Sequence, residues 1–87
     1  YQRLAVDVRK NGSGIYTIQI KASLSPLNMN LFNDIRDVRE VYGEDGYYRY
    51  LAGEYQSMAD ARKELQSIQK AGFGEAFVRE LKLLLNE

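Results

Sequence analysis

The sequence predicts an α+β fold in which two helices pack on one face of a four-stranded antiparallel sheet. Two observations lead to this prediction. Apolar residues alternate with a period of two in some segments and recur with helical spacing in others, and these segments follow the order β-α-β-β-α-β. The length of 87 residues is that of one domain with one modest core.

The first part of the chain contains one strand and one predicted helix. Tyr16, Ile18 and Ile20 alternate with polar residues, which indicates a strand with one buried and one solvated face. Pro26 interrupts this pattern and ends the strand. The segment after it predicts a short helix, because three apolar residues fall on one side: Leu31, Phe32 and Ile35.

The second part predicts a hairpin, a helix and a last strand. Two strands flank a turn at residues 43–46, which contain two glycines and two acidic residues. The helix begins at a capping pair, Ser57 and Asp60, and ends before Gly72. Its apolar stripe consists of Ala61, Leu65 and Ile68. The segment at residues 75–81 predicts the final strand.

Two terminal segments flank the domain, which we place at residues 15–80. Residues 1–14 form an N-terminal extension with alternating Leu4, Val6 and Val8. Residues 81–87 form a C-terminal tail with alternating Leu81, Leu83 and Leu85. Each alternation fits either an added strand or a terminal helix. Because the chain begins at Tyr1 rather than Met, we expect it to be part of a longer protein.

The composition argues against several functions. Basic and acidic residues both number 12, so the chain lacks the basic surface expected of a nucleic-acid binder. Cysteine and histidine are absent, which removes thiolate nucleophiles and the usual zinc ligands. No apolar run is long enough to insert into a membrane. We therefore expect a domain that is not an enzyme and that uses no cofactor.

The sheet face away from the helices is predicted to be open to solvent and to bind the ligand. Its candidate residues are Thr17, Gln19 and Lys21 on the first strand, Tyr47, Arg49 and Leu51 on the third, and Phe77 and Arg79 on the last. The opposite register is predicted to face the core and contains Tyr48, Tyr50, Ala52, Ala76 and Val78.

Four stretches, in this order and spacing, resemble the sporulation-related repeat (SPOR) domain family. They are Tyr16–Gln19, Tyr48–Arg49 with Gly53–Tyr55, Ser57–Ala61 and Gly72–Val78. The resemblance covers residues 15 to about 80. The chain departs from the family after the first strand. The family often has Gly, then Ala or Ser, then Phe at this point, whereas this chain has Lys21, Ala22 and Ser23.

The resemblance implies both a fold and a function. The fold is the ribonucleoprotein-like or ferredoxin-like two-layer sandwich. The function is non-catalytic binding of bacterial peptidoglycan, with a preference for glycan strands that lack stem peptides. The location is the periplasm or cell envelope, in longer proteins such as cell-division proteins and wall amidases.

The chemistry of the candidate residues fits such a ligand. Tyrosine rings stack on the C–H face of a pyranose and hydrogen-bond its hydroxyl groups. The amide of Gln19 suits an acetamido group, since it both donates and accepts. Removal of a stem peptide exposes the lactyl carboxylate of muramic acid, which Arg49 can hold through two hydrogen bonds.

Other interpretations of the same residues stay open. Gln19 can be a plain surface residue, and Arg49 can pair across strands with Glu40. A domain with this layout can also bind single-stranded RNA on its sheet, but the ribonucleoprotein signature is absent and the net charge is zero. The main alternative is a protein-interaction domain that uses the sheet face or a sheet edge.

Overall fold

A computed structural model describes residues 15–81. Its strands are β1 (Tyr16–Ser23), β2 (Val38–Tyr42), β3 (Tyr48–Tyr55) and β4 (Phe77–Glu80), with a 3₁₀ helix at Met29–Phe32 and an α-helix, α1, at Met58–Lys70. The strands form one sheet in the order β2-β3-β1-β4, and each neighbouring pair is antiparallel. The four-stranded antiparallel sheet is thus confirmed. The alternations predicted at Leu4, Val6 and Val8 and at Leu83 and Leu85 lie outside the described residues.

The prediction of two helices is wrong, because the described residues contain only one α-helix. The segment between β1 and β2 forms a 3₁₀ helix of four residues. The Asn28 side chain caps it by accepting a hydrogen bond from the Asn30 amide at 2.9 Å. Asparagine and aspartate are frequent in this segment. Residues of these types favour hydrogen bonds to nearby backbone, which compete with a longer helix. Phe32 is nevertheless buried, as predicted, whereas Leu31 is exposed.

The core lies between the sheet, α1 and the segment that contains the 3₁₀ helix. Its buried residues are Ile18, Ile20, Phe32, Tyr50, Ala52, Ile68 and Ala76. The ring of Phe32 stacks on that of Tyr50 with a centroid distance of 5.1 Å. Tyr48 and Val78 are partly buried against this core. The predicted inward register of β3 and β4 is therefore confirmed.

Helix α1 forms as its sequence signals predict. Ser57 caps it, since its side chain accepts a hydrogen bond from the Asp60 amide at 3.1 Å. Ala61 and Ile68 are buried against the sheet. Gly72 follows the helix with φ of 112°, a left-handed conformation that glycine adopts without a steric penalty.

A β-bulge in β1 changes which face its last residues occupy. Gln19 pairs with Leu51, but Lys21 pairs with Tyr50, so Ile20 is the extra residue. Residues directly opposite in an antiparallel pair share a face, and the bulge therefore gives Lys21 the register of the helix-facing residues. The prediction that Lys21 lies beside Gln19 on the other face is wrong. Period-two counting fails at a bulge because it assumes an uninterrupted strand.

Gly53 allows a second irregularity, near the end of β3. The register shifts between Tyr16 and Ile18, so β3 contains an extra residue at this point. Gly53 has φ of 70°, and a Cβ atom there would lie 2.5 Å from the Tyr55 hydroxyl oxygen. Only glycine fits this position without displacing Tyr55.

Candidate functional site

The sheet face opposite α1, called the second face below, contains most of the predicted site residues. The strand registers and contacts assign to it Ile15, Thr17, Gln19, Arg39, Val41, Arg49, Leu51, Phe77, Arg79 and Leu81. The prediction that this face is open to solvent is wrong at its centre. Thr17 and Leu51 are 0% exposed, and Gln19 and Arg49 are 8% exposed. Thr17 and Leu51 are enclosed by neighbours, whereas Gln19 and Arg49 keep a small part of their surface in contact with solvent.

Leu51 belongs to a second apolar cluster. It packs with Leu81, which is also fully buried, and with the partly buried Ile15 and Val41. The Leu81 amide donates to the Ile15 carbonyl at 3.0 Å. Leaving a leucine in water at the centre of a sheet costs about 2 kcal/mol relative to burying it, which favours this cluster. Sequence reasoning missed it because Leu81 was assigned to the C-terminal tail.

Thr17 stabilises the end of β3. Its hydroxyl donates to the Gly53 carbonyl at 2.6 Å and is also 3.2 Å from the Ala52 carbonyl. These oxygens lie at the irregular part of β3, where the regular ladder is interrupted. Thr17 was predicted to face a ligand, but its hydroxyl is already bonded to the backbone of the neighbouring strand.

Gln19, Phe77 and Arg79 form one group on adjacent strands. Arg79 Nη1 donates to Gln19 Oε1 at 2.8 Å. Phe77 lies directly opposite Gln19 and is 46% exposed. Because the Gln19 oxygen accepts from Arg79, the amide NH₂ is the group that remains to donate. An exposed ring thus lies beside an oriented amide and a guanidinium group, as the sequence predicted for the face occupied by Phe77 and Arg79.

Arg49 forms its ion pair with Asp45, in the loop between β2 and β3. Arg49 Nη1 is 3.1 Å from Asp45 Oδ1, and Nη2 is 2.6 Å from Oδ2. Tyr47 lies on the same side, with its ring centroid 5.7 Å from the guanidinium carbon. The alternative prediction that Arg49 pairs with Glu40 is wrong. The Glu40 carboxylate lies on the helix side of the sheet, where it accepts a hydrogen bond from Tyr50.

The environment of Asp45 explains its acidity. The hydrogen bond from Arg49, followed by that from the Tyr47 amide, lowers the pKa of Asp45 from 3.8 to about 2. The carboxylate is therefore charged at any pH near neutrality. The sequence analysis placed Asp45 in the turn at residues 43–46 and gave it no partner. The spacing of four residues across a glycine-containing hairpin loop was the signal that could have linked it to Arg49.

Arg39 also lies on this face, and sequence analysis did not select it. Its Nη1 is 3.0 Å from Glu54 Oε2, and its Nη2 is 3.5 Å from the Gly53 carbonyl. With Arg49 and Arg79, it gives the second face three arginines among residues 15–81. The face therefore combines guanidinium groups with exposed aromatic rings, a composition suited to anionic and hydroxylated ligands.

Two other features were not found among residues 15–81. This part of the chain contains no group of three or more acidic, histidine or cysteine side chains placed to hold a metal ion. None of its helices has the length and apolar character required to cross a bilayer.

The SPOR domain model matches residues 12–80, which include all four strands and α1. The chain belongs to the SPOR domain family. The resemblance seen in the sequence is thereby confirmed. No curated protein and no solved structure matches this SPOR domain significantly.

Membership gives this SPOR domain a functional class. The family binds peptidoglycan and is associated with the cell wall and with cell division. SPOR domains are binding rather than catalytic domains, and they are found in the cell envelope and periplasm. The second face is the part of this SPOR domain where the selected polar and aromatic residues come together.

Proposed function

We propose that this domain binds peptidoglycan glycan strands that lack stem peptides, that it does so on the second face without catalysis, and that it acts within a longer envelope protein. The observation that supports this most directly is the SPOR family match over residues 12–80. The preference for bare glycan strands and the choice of the second face as the binding surface rest on the chemistry of the side chains.

The primary contact surface in this proposal is the group formed by Gln19, Phe77 and Arg79. The exposed ring of Phe77 stacks on the C–H face of a sugar. The amide NH₂ of Gln19 donates to an acetamido oxygen at the edge of the same sugar. Arg79 holds the Gln19 amide in this orientation through its 2.8 Å hydrogen bond and adds positive charge beside the ring.

Tyr47 and Arg49 extend this surface toward the hairpin loop. Tyr47 is 38% exposed and is the second aromatic ring available to a sugar. Thr17 and Leu51 support the surface from within, since both are fully buried. Lys21 lies beyond the bulge, where it lines a depression with Phe73 and Glu75, and assists only a ligand that extends past the sheet edge.

Charge explains the preference for bare glycan. When a stem peptide is attached, the lactyl carboxyl of muramic acid is an uncharged amide. Removal of the peptide produces a carboxylate at each such sugar, and arginine binds carboxylates strongly through paired hydrogen bonds. The arginines of the second face therefore favour the stripped strand, since a guanidinium group binds a carboxylate more strongly than it binds a neutral amide.

Co-sedimentation with purified sacculi tests the proposal. The full chain is expected to sediment more completely with sacculi whose stem peptides an amidase has removed. Phe77→Ala should reduce this sedimentation about fivefold or more, because an aromatic stacking contact is worth roughly 1 kcal/mol or more. Its melting temperature should remain unchanged, since the ring is exposed.

Tyr42→Ala is the matched control. Tyr42 is also an exposed aromatic residue on a strand, but its register places it on the helix side of the sheet. It should sediment like the wild type. Equal sedimentation with intact and stripped sacculi would reject the glycan preference, and equal loss in both variants would reject the second face. Absence of sedimentation would favour the protein-interaction alternative.

A further inference from the structure

The guanidinium group of Arg49 already holds a carboxylate, and that carboxylate belongs to the chain itself. Both terminal nitrogens of Arg49 face both oxygens of Asp45, at 3.1 and 2.6 Å. This two-point arrangement is the one that arginine uses for a ligand carboxylate. A lactyl carboxylate and Asp45 therefore require the same two donors.

The surrounding loop holds Asp45 in this position. The Tyr47 amide donates to Asp45 Oδ1 at 3.2 Å. Gly43 leaves the space that the ion pair occupies, because a Cβ atom there would lie 2.6 Å from Arg49 Nη1 and 2.7 Å from Asp45 Oδ1. Gly43 thus leaves room for the ion pair because it has no side chain, and the Tyr47 amide anchors the Asp45 carboxylate.

The two partners differ in their access to solvent. The side chain of Asp45 is 37% exposed, whereas that of Arg49 is 10% exposed. An incoming ligand therefore meets the ion pair on its carboxylate side. Asp45 lies in a loop with Gly46 at φ of 90°, outside the regular ladder of β2 and β3. Displacing Asp45 requires a change in this loop and leaves the strands in place.

We propose that Asp45 is an internal competitor for the carboxylate site of Arg49, and that it determines which ligands this site accepts. The inference rests on the proposed function, whose ligand contains a lactyl carboxylate. A ligand with its own carboxylate replaces Asp45 and leaves Arg49 with an equivalent partner. A peptide-substituted strand offers only a neutral amide, so displacing Asp45 would exchange a charged partner for a weaker one. Asp45 thus makes the site selective at the expense of affinity.

Titration of the full chain with N-acetylmuramic acid tests this directly. The probe contains the free lactyl carboxylate, and its carboxamide is the matched neutral ligand. The readout is the NMR signal of the Arg49 Nε–Hε group. Asp45→Asn removes the competing charge with little change in shape, so the variant should respond at a concentration roughly three- to tenfold lower than the wild type. The carboxamide should produce no such difference.

A second variant tests the geometry without changing the charge. Gly43→Ala places a methyl group against both members of the ion pair and should shift the Arg49 response in the same direction as Asp45→Asn. Gly74→Ala is its control, since a Cβ atom there has no heavy atom within 4 Å, and it should respond like the wild type. Equal or weaker binding of N-acetylmuramic acid by both Asp45→Asn and Gly43→Ala would overturn the proposal.

Sedimentation with amidase-treated sacculi separates this inference from the proposed function. If wild type and Asp45→Asn sediment equally and their Arg49 responses are identical, glycan binding stands and the role of Asp45 is rejected. If neither sediments, the proposed function is rejected, and the titration with N-acetylmuramic acid still decides the role of Asp45. If Asp45→Asn sediments more strongly than the wild type with stripped sacculi and not with intact sacculi, both the proposed function and the role of Asp45 are supported.

Discussion

The hydroxyl of Tyr50 donates a hydrogen bond to Glu40 Oε2 at 2.8 Å, across the two strands of the central hairpin. The Tyr50 hydroxyl oxygen in turn accepts a hydrogen bond from the Leu27 amide at 2.7 Å. The Tyr50 side chain is completely buried, and burial, together with Glu40, raises the pKa of its hydroxyl. One side chain thus connects β2, β3 and the segment that lies over the core in place of a second helix.

Removing this hydroxyl should destabilise the domain without changing its binding. Tyr50→Phe leaves the Leu27 amide without its hydroxyl partner and should lower the free energy of unfolding by about 1–3 kcal/mol. Tyr50→Ala also removes the ring that stacks on Phe32 and should cost roughly 3–5 kcal/mol. Urea denaturation measures both values. A Tyr50→Phe variant as stable as the wild type would show that water replaces the hydroxyl at Leu27.

The left-handed conformation of Gly53 leads to a second stability prediction. Gly53→Ala should lower the free energy of unfolding by about 2 kcal/mol or more, because an alanine at φ of 70° is strained and its Cβ overlaps Tyr55. Gly74→Ala should change stability by no more than about 0.5 kcal/mol. Thermal unfolding of the two variants provides the comparison. Similar melting temperatures would mean that the end of β3 rearranges at little cost.

Arg49 and Gln19 are expected to contribute to stability as well as to binding. Their sequence pattern predicts exposed side chains that can be truncated without affecting the fold, but both are nearly buried and hydrogen-bonded. Arg49→Ala and Gln19→Ala should therefore each lower the melting temperature by a few degrees. Differential scanning calorimetry checks this, with Gly74→Ala as the control, since a Cβ atom there has no heavy atom within 4 Å. Unchanged melting temperatures of both variants would show that the two side chains can be truncated without affecting the fold.

Asp45 makes stability depend on pH in the acidic range. Its pKa is about 2 in the folded domain, below the ordinary 3.8, so the unfolded chain takes up its proton first as the pH falls. The stabilisation is complete above roughly pH 4 and is lost as the pH approaches 2. The difference in stability between wild type and Asp45→Asn should therefore be larger at pH 6 than at pH 2. Urea denaturation at both values measures it, and a constant difference would contradict the assigned pKa.

The sequence was a good guide where local rules were sufficient. The period of two in β1 and the cap and stripe of α1 identified elements that the structure confirms. The first helix was misjudged, because three apolar residues at helical spacing outweighed the polar side chains of Asn28, Asn30 and Asn33 in the prediction. The Asn28 side chain takes up the Asn30 amide, and a buried Phe32 requires only one turn.

The candidate site was identified only in part. Gln19, Phe77 and Arg79 share a face as their alternation predicts, because the pairing of β1 with β4 is regular. Lys21 does not join them, since a bulge changes the register. The pairing of Arg49 with Asp45 was missed, because it depends on how the hairpin loop returns to the sheet and on the space left by Gly43.

The sequence by itself determined the strands, the α-helix, the side of the sheet that receives each regular residue, and the family to which the chain belongs. These follow from side-chain periodicity and local capping, which act over a few residues. The tertiary structure decided which of those residues are accessible. It buries Leu51 against Leu81 and bonds Thr17 to the neighbouring strand. Burial depends on contacts between residues far apart in the chain, and no local pattern specifies those contacts.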